Sequence, residues 1–490
     1  MKKTTAFALA LVILAMLFAA IGCVNVNPGK NPSGSADKDG DDWDLNRFSD
    51  IDLNGATVRM MSRAHERHAN ELTVDDEDEP KDFVLAEIYN RERYVEEKLH
   101  VRIENDKVES TDEHGGRGVL PALVLSNDQT YDVYASSYYA TSGLAIDGNF
   151  SNVYDVRSID TERGYWSQYF IEKAQIGKNL YFFTGDAAIS ALRFLFVTFF
   201  NKNMVEEYKI DDPYVLVKNG AWTYDAMYDI VKDIYVDLNN DQIADENDFY
   251  GLAVNNYLGS DAYTSAFNLT TVAVNGNHQA EVVVNVNKYT KAVEMVYDLF
   301  WKTPGVLCGQ DPSYLANILA EEHAIFTQSW LYNCESYVMR DMSADYGIIP
   351  YPKYDENQAD YYSFGHDQIT VFGIPVSSVK KEEAGYVLEL MSARSRDTVI
   401  HQYYEMALKE RYARDEQSIA MLDLVRNNFL LDTGWIYCEQ TNLAGRLMRT
   451  LVEAKSKSFA QYYAKYESVF LDKVNELNEA FEALEIENGG

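Results

Sequence analysis

The sequence is short of cysteine, of patterned histidine, of positive charge and of long apolar runs, and each shortage closes off a class of protein. Four cysteines in 490 residues cannot build a disulfide scaffold, and none sits in a CxxC pair. The eight histidines form no HExxH run, so no zinc-site signature is present. Lys and Arg number 43 against 77 Asp and Glu, a formal net charge of −34. A surface that negative repels nucleic-acid phosphates and anionic lipid, which excludes nucleic acid as a partner and leaves a neutral or cationic ligand. No Gly-x-Ser-x-Gly elbow or metal triad points to hydrolytic chemistry. Only one long apolar run exists, at the N-terminus, so nothing later in the chain spans a membrane.

That run extends from Ala6 to Ile21 behind Lys2 and Lys3 and closes on Ala20, Ile21, Gly22 and Cys23. A basic start, a short apolar segment and small residues before the cut make a secretory signal peptide, and the run is short of the roughly 20 residues a spanning helix needs. The segment before Cys23 resembles the lipobox of bacterial lipoproteins, with Ala20 where Leu is usual. That resemblance implies a Cys23 sulfur carrying a diacylglycerol and forming the new N-terminus. The alternatives are an ordinary signal peptide with a chance cysteine or a single uncleaved anchor helix. Residues 24–49 are rich in Asn, Gly, Ser, Pro and Asp and have little to bury, so they read as a flexible tether. The mature protein is then expected outside the cytoplasmic membrane, lipid-anchored and monomeric.

From Asp50 to the end lie about 440 residues, too many for one hydrophobic core and suited to two lobes. Apolar residues make up 47% and aromatics 13%, the composition of a packed body. The elements alternate. A turn at Asn54 and Gly55 leads into a strand over 56–61, then a helix with Leu85, Ile88, Val95 and Leu99 on one face. A strand over 101–104, a helix over 120–125 and a strand over 131–135 follow. This β-α-β-α-β order predicts a parallel sheet with helices on both faces. Further on, the pattern predicts a hairpin-like stretch at 179–184, a buried strand at 194–200, helices at 224–235 and 288–302, and a strand at 323–327. Connecting strands at 347–352 and 368–374, a helix at 381–392 and a helical C-terminal third complete it. The last helix carries Tyr466, Phe470, Val474, Leu477, Phe481 and Leu484 on one stripe, explained by core packing. Cys308, Cys334 and Cys438 are read as unpaired thiols, with one disulfide as the alternative.

One chemical motif stands out. Residues 237–248 place oxygen side chains at loop positions 1, 3, 5, 9 and 12 (Asp237, Asn239, Asp241, Asp245 and Asp248), with the Ile243 carbonyl at position 7. This is the calcium-loop spacing of an EF-hand, in which alternate residues of a tight loop converge on one hard cation. Position 6 is Gln242 in place of Gly, and position 12 is Asp, as in dockerin-type loops, in place of Glu. A bound Ca²⁺ would be structural; the alternative is an acidic surface turn.

Around this loop the chain resembles the family 1 extracellular solute-binding proteins of carbohydrate ABC importers. The pieces are Asn201–Met204, Asp212 and Pro213, the Asn219–Asp225 run NGAWTYD, and the acidic loop closing on Tyr250, Gly251 and Leu252. His323–Trp330, Gly347–Pro352, and Gly373–Ser378 followed by Glu382–Met391 agree in the same order. The likeness covers most of 54–395 and weakens in the C-terminal third. It implies an α/β, type II periplasmic-binding-protein fold, two lobes joined by a hinge of crossing strands. The expected division is 50–197 plus 365–395 for the first lobe and 198–364 plus 396–487 for the second. It also implies a non-enzymatic function: capture of a sugar or oligosaccharide between the lobes and delivery to the permease subunits of an importer.

A pyranose has an apolar face that stacks on aromatic rings and a rim of hydroxyls that wants planar polar groups. Trp330 and Tyr332 follow a second-lobe strand, where the family places a stacking Trp, and Trp435 lies in a late Gly-Trp-Ile-Tyr segment. From the first lobe, Arg63 and His65 follow the first strand, and Ser137, Tyr138 and Tyr139 follow the third, at carboxyl ends where α/β sheets bind ligands. Asp186, after the Phe183-Thr184-Gly185 turn, and Asp367, beside the hinge, are the candidate carboxylates, whereas Trp222 is expected in the core. The competing readings are an extracellular polysaccharide hydrolase and a surface adhesion or sensing protein; paired dockerin loops, which the latter would carry, are not found.

Overall fold

The computed structural model describes residues 45–75, 79–109, 114–309, 314–404 and 416–488. Cys23, the leader and most of the tether lie outside the described residues. In chain order the strands are β1 (Ala56–Arg63), β2 (Val101–Val108), β3 (Val133–Ser137), β4 (Phe196–Asn201), β5 (Tyr235–Val236) and β6 (Phe249–Asn255). They continue with β7 (Val272–Val274), β8 (Ala280–Val282), β9 (Val306–Gly309), β10 (Ala324–Trp330), β11 (Tyr346–Ile349) and β12 (Thr370–Gly373).

Two mixed α/β lobes result. The first is built on a sheet of order β12-β3-β1-β2, with β1 parallel to both β2 and β3 and β12 antiparallel at one edge. Asn54 and Gly55 turn into it with φ of 54° and 75°. The crossover helix Phe83–Leu99 forms where Asp82 accepts the otherwise unpaired N–H groups of Val84 and Leu85 at 3.0 Å each. It buries Val84, Ile88, Val95 and Leu99, each worth about 1.5–3 kcal/mol of burial. The second lobe holds a sheet of order β11-β4-β10-β6-β5, with β9 pairing to β6 in parallel beyond the short β5. β10 runs parallel to β6 and antiparallel to β4.

The chain passes between the sheets at Leu195, which bridges Gly365, while the Phe196 N–H donates to the Phe364 carbonyl at 3.0 Å. Two strand-like runs therefore cross side by side, one on its way to β4 and one to β12. The C-terminal helices close the structure: Leu447–Glu453 packs on Asn256–Ala266, and Phe459–Asn488 lies along Val286–Lys302 and β8. Phe470, Val474, Leu477 and Phe481 of that last helix are buried, as the stripe predicts, and Trp222 is fully buried. Among the described residues Cys308, Cys334 and Cys438 are free.

Three readings need correction. Residues 179–184 form no ladder, only single bridges from Asn179 to Ile176 and from Phe183 to Phe372, so the segment pairs with the edge of β12 and not with itself. The helix expected to reach residue 235 stops at Val231, since Gly251 and Gly305 bring their backbones hard against Val231 and the chain turns into β5. Finally, β6 and β9 were not anticipated; β6 has every residue buried and carries no alternation to betray a strand. Among the described residues no helix is long and apolar enough to cross a membrane.

Candidate functional site

The residues that follow β3 and β10 cluster beside the point where the chain crosses between the sheets. One end of this cluster is aromatic. Trp330, the last residue of β10, packs against Phe194 (ring centroids 5.4 Å apart), Phe196 (6.2 Å) and His366 (5.3 Å), with Tyr332 edge-on at 6.1 Å. Its Nε1 donates to Asn333 Oδ1 at 3.0 Å, and the ring is only 7% exposed. From the first lobe, the guanidinium of Arg67 lies 5.5 Å from the Trp330 ring centre and 5.9 Å from that of Tyr332. Beside them Arg193 donates from Nε to Glu335 Oε1 at 2.7 Å. Arg193 precedes the crossing and Glu335 follows β10, so this ion pair spans the lobes.

The other end is built around two arginines one helical turn apart. Arg446 donates to Asp367 Oδ2 at 2.6 Å and lies 5.0 Å from the Tyr139 ring centre. Arg449 donates from Nε to Asp261 Oδ1 at 2.9 Å and lies 5.4 Å from the ring centre of Tyr257. Tyr139 also stacks on His114 (5.1 Å, 28°), whose Nδ1 is 2.7 Å from Ser137 Oγ. Arg117 reaches from the first lobe to Glu439, and Ser142 and Gln440 pair at 3.3 Å. Burial, then the hydrogen bond to Glu439, lifts the Tyr139 phenol to about 12. His366 Nδ1 stands 3.1 Å from Asp367 Oδ1, which joins the two ends.

Of the residues singled out from the sequence, Trp330, Tyr332, Ser137, Tyr139 and Asp367 gather here; Trp330, Ser137 and Asp367 are buried, and Tyr332 and Tyr139 half-buried. The others are engaged elsewhere in the protein. Tyr138 is fully buried and donates to the Gly365 carbonyl at 3.3 Å. Trp435 is 2% exposed and packs on Phe364 at 4.8 Å. Asp186 is occupied by Arg426 at 2.6 Å and Arg396 at 3.3 Å. His65 sits half-buried, its ring 6.2 Å from that of His68. Arg63 is buried and donates to Gln368 Oε1 at 2.8 Å and to the Gln368 carbonyl at 2.9 Å, tying β1 to the segment before β12.

Arg63 also stands 4.0 Å from buried Glu71, itself 3.9 Å from His68. Burial and the nearby Arg63 push the His68 imidazole down to about 3. A base whose folded pKa lies below its unfolded value of about 6.5 gives stability that is complete above 6.5 and lost as pH falls toward 3. The melting temperature should therefore fall on acidification from about pH 6.5, and His68→Phe should flatten that part of the curve. An unchanged slope would show that His68 does not titrate on unfolding.

Arg67, His366, Tyr257, Asp261, Arg446 and Arg449 escaped the sequence reading. The spacing of Arg446 and Arg449 was visible, but nothing local marks their partners, which lie 79 and 188 residues away.

The 237–248 loop curls as its spacing suggests. Gln242 takes φ 65°, the left-handed angle that position 6 requires, and its N–H donates to Asp237 Oδ2 at 3.0 Å. Asp237 Oδ1 is buried without a hydrogen-bond partner. Asn239 and Asp241 accept from the backbone two residues on, at 3.0 and 2.8 Å. Asp248 is fully buried and takes bonds from Tyr235 Oη (2.9 Å) and the Leu238 N–H (3.1 Å). Among the described residues no three His, Cys, Asp or Glu side chains converge as a ready cage. The ligand set expected from the spacing would also draw on Asn239 and a carbonyl. The strained turn and the unpartnered carboxylate oxygen fit a Ca²⁺ loop.

No protein-family model matches the sequence, and no curated protein does. Solved structures do. An ABC substrate-binding protein from Listeria monocytogenes, Lmo0181 in complex with cycloalternan, shares 10% identity over 88% of this chain and 100% of its own, at a TM-score of 0.53. A solute-binding protein from Thermotoga lettingae bound with α-D-tagatose shares 14% identity over 86% and 100%, also at 0.53. RafE from Streptococcus pneumoniae shares 15% over 88% and 98%, at 0.51. The fold is the two-lobe, type II fold of ABC-importer solute-binding proteins. The expected fold class is thus borne out, and at these identities the likeness speaks for the fold alone.

Proposed function

We propose that this protein is a non-enzymatic solute-binding protein that captures a sugar or oligosaccharide between its lobes and hands it to the permease subunits of an ABC importer. The observation that carries the reading is a set of half-buried rings beside the crossing, Tyr332 at one end and Tyr139 and Tyr257 at the other, with paired arginines and carboxylates against them. Rings offer stacking faces to a pyranose, and the planar ionic groups suit its hydroxyls. Proteins of the same fold have been solved with cycloalternan, tagatose and maltotetraose. Two lobes joined by a double crossing give closure around a ligand, a state that a permease can distinguish from the open one. Calorimetry against a saccharide panel tests this: saturable binding with recovery of intact ligand supports it, whereas turnover would favour a hydrolase.

Two further parts belong to the proposal. The acidic loop holds one structural Ca²⁺ through Asp237, Asn239, Asp241, the Ile243 carbonyl, Asp245 and Asp248. The ion would neutralise clustered carboxylates and fix the approach to β6. A chelator should lower the melting temperature, and Asp241→Ala should remove that sensitivity with ligand binding largely intact; equal melting with and without chelator in the parent protein would dismiss the ion. Cys23 anchors the protein to the outer face of the membrane. Cys23→Ser should move it to the medium or soluble fraction, and persistent firm membrane association would count against lipidation.

A further inference from the structure

A cavity of about 440 Å³ opens in the second lobe between the helices Tyr224–Val231 and Val286–Lys302 and the segment at Tyr354 and Asp355. It shares no lining residue with the cluster at the crossing and has the size of a small-ligand site. Lys291, Glu294, Met295 and Asp298 fall on one face of the longer helix, three and four residues apart. Tyr224 Oη donates to the Met295 carbonyl at 2.7 Å, which holds the two helices against each other. Apart from Tyr224, every lining residue is half-buried or exposed, so the walls are open to a ligand.

The lining carries four carboxylates against the one ammonium of Lys291. Lys457 holds Asp298 at 2.5 Å, and Asp355 spends one oxygen on the N–H groups of Asn357 and Gln358, at 2.8 and 3.2 Å. Asp225 and Glu294 have no ion-pair partner among the described residues. These charges act on a common space. Burial, then Tyr228, Asp298 and Asp225, raise the Tyr224 phenol; burial, then Asp355 and Asp225, raise that of Tyr354. The ring of Tyr228 has Tyr224 stacked on it (5.8 Å, 14°) and Lys232 at 5.9 Å, and Lys288 lies 5.2 Å from the centre of Tyr354.

The geometry points to a second binding site, separate from that of the transported solute, in which Asp225, Glu294 and Asp355 hold an aliphatic polyamine. A sugar needs donors as well as acceptors, and ionised carboxylates are acceptors only. Among the described residues no three carboxylates converge on one point, so the charge suits a ligand that is positive at several places and not a single ion. Tyr228, Tyr354 and Met295 give its methylenes an apolar wall. Glu294 and Asp298 stand one helical turn apart, a rise of about 6 Å, similar to the ammonium spacing of butane-1,4-diamine. A concave site with uncompensated charge concentrates its counter-ion beyond what an open surface does.

The chain's charge of −34 attracts any cation, so the test must separate this site from that field. Calorimetry on the full protein at physiological ionic strength, with spermidine as probe, should give saturable binding of one molecule. Butane-1,4-diamine should bind at least about tenfold more weakly, and spermidine should raise the melting temperature. Glu294→Gln and Asp225→Asn should each lower spermidine affinity about tenfold with parent-like melting. Glu97→Gln, which removes an exposed carboxylate from the first lobe, should leave it unchanged. Affinity unchanged in both cavity variants, or an equal loss in the Glu97 variant, would overturn the site. Competition by magnesium at equal concentration would overturn the polyamine in favour of a metal ion. A tetralysine peptide binding more tightly than spermidine through the same two carboxylates would overturn it in favour of a basic protein segment.

Discussion

Trp330→Ala should lower folding stability by about 3–5 kcal/mol, the range for removing a buried indole from a packed site. The sequence alone suggests a smaller effect, since a Trp at the end of a strand facing a groove would stand open without ligand and lose mainly affinity on truncation. In the structure the ring is 7% exposed and hemmed in by Phe194, Phe196 and His366, with Arg67 over it from the opposite lobe. Its Nε1 bond to Asn333 further fixes a network that continues to Ser329 Oγ at 3.0 Å. Truncation thus opens a cavity where the lobes meet and frees Asn333 from its partner. Melting and affinity measured on the same variant decide the question. A loss of stability under about 1 kcal/mol with a ten- to hundredfold loss of affinity would make Trp330 a ligand platform that the protein does not need for folding.

The same comparison shows why the fold was easier to read than the site. β1 and β10 are strands whose apolar runs and flanking turns are local, and the helix Phe83–Leu99 announces itself through Asp82 and its buried face. Alternation of strand and helix then leaves few topologies. The site is assembled by contacts that no window of sequence contains. Tyr138 and Tyr139 follow the same strand, yet Tyr138 turns into the core and Tyr139 toward Arg446, because adjacent residues at a helix start point to different faces. Asp186 was attractive as a lone carboxylate only while Arg396 and Arg426 were 210 and 240 residues away in sequence. Asp367 was found because it sits beside a crossing, a position that topology does expose. Aromatic residues after strands are therefore legible; their ionic partners are not.

Glu335→Ala should weaken ligand binding about a hundredfold while leaving each lobe folded. The Arg193–Glu335 pair connects the two lobes at 2.7 Å, with side chains 11% and 16% exposed. Without Glu335 the guanidinium keeps the Arg67 carbonyl of its own lobe, at 3.2 Å. A buried charge stripped of its counter-ion costs about 3–5 kcal/mol, and here the protein has a way to avoid that penalty. Separating the lobes returns Arg193 to water, so the loss is drawn from the closed state and not from the folded state. A shift of about 3 kcal/mol against closure reduces the apparent affinity of a ligand that needs the closed form by roughly a hundredfold. Glu335→Gln keeps an acceptor oxygen for Arg193 Nε and should lose much less. Solution scattering without ligand should show a larger radius of gyration for the Ala variant, with a melting temperature close to that of the parent. Parent-like scattering and affinity would mean that closure does not depend on this pair, and a collapse in melting temperature would place it in the folding core instead.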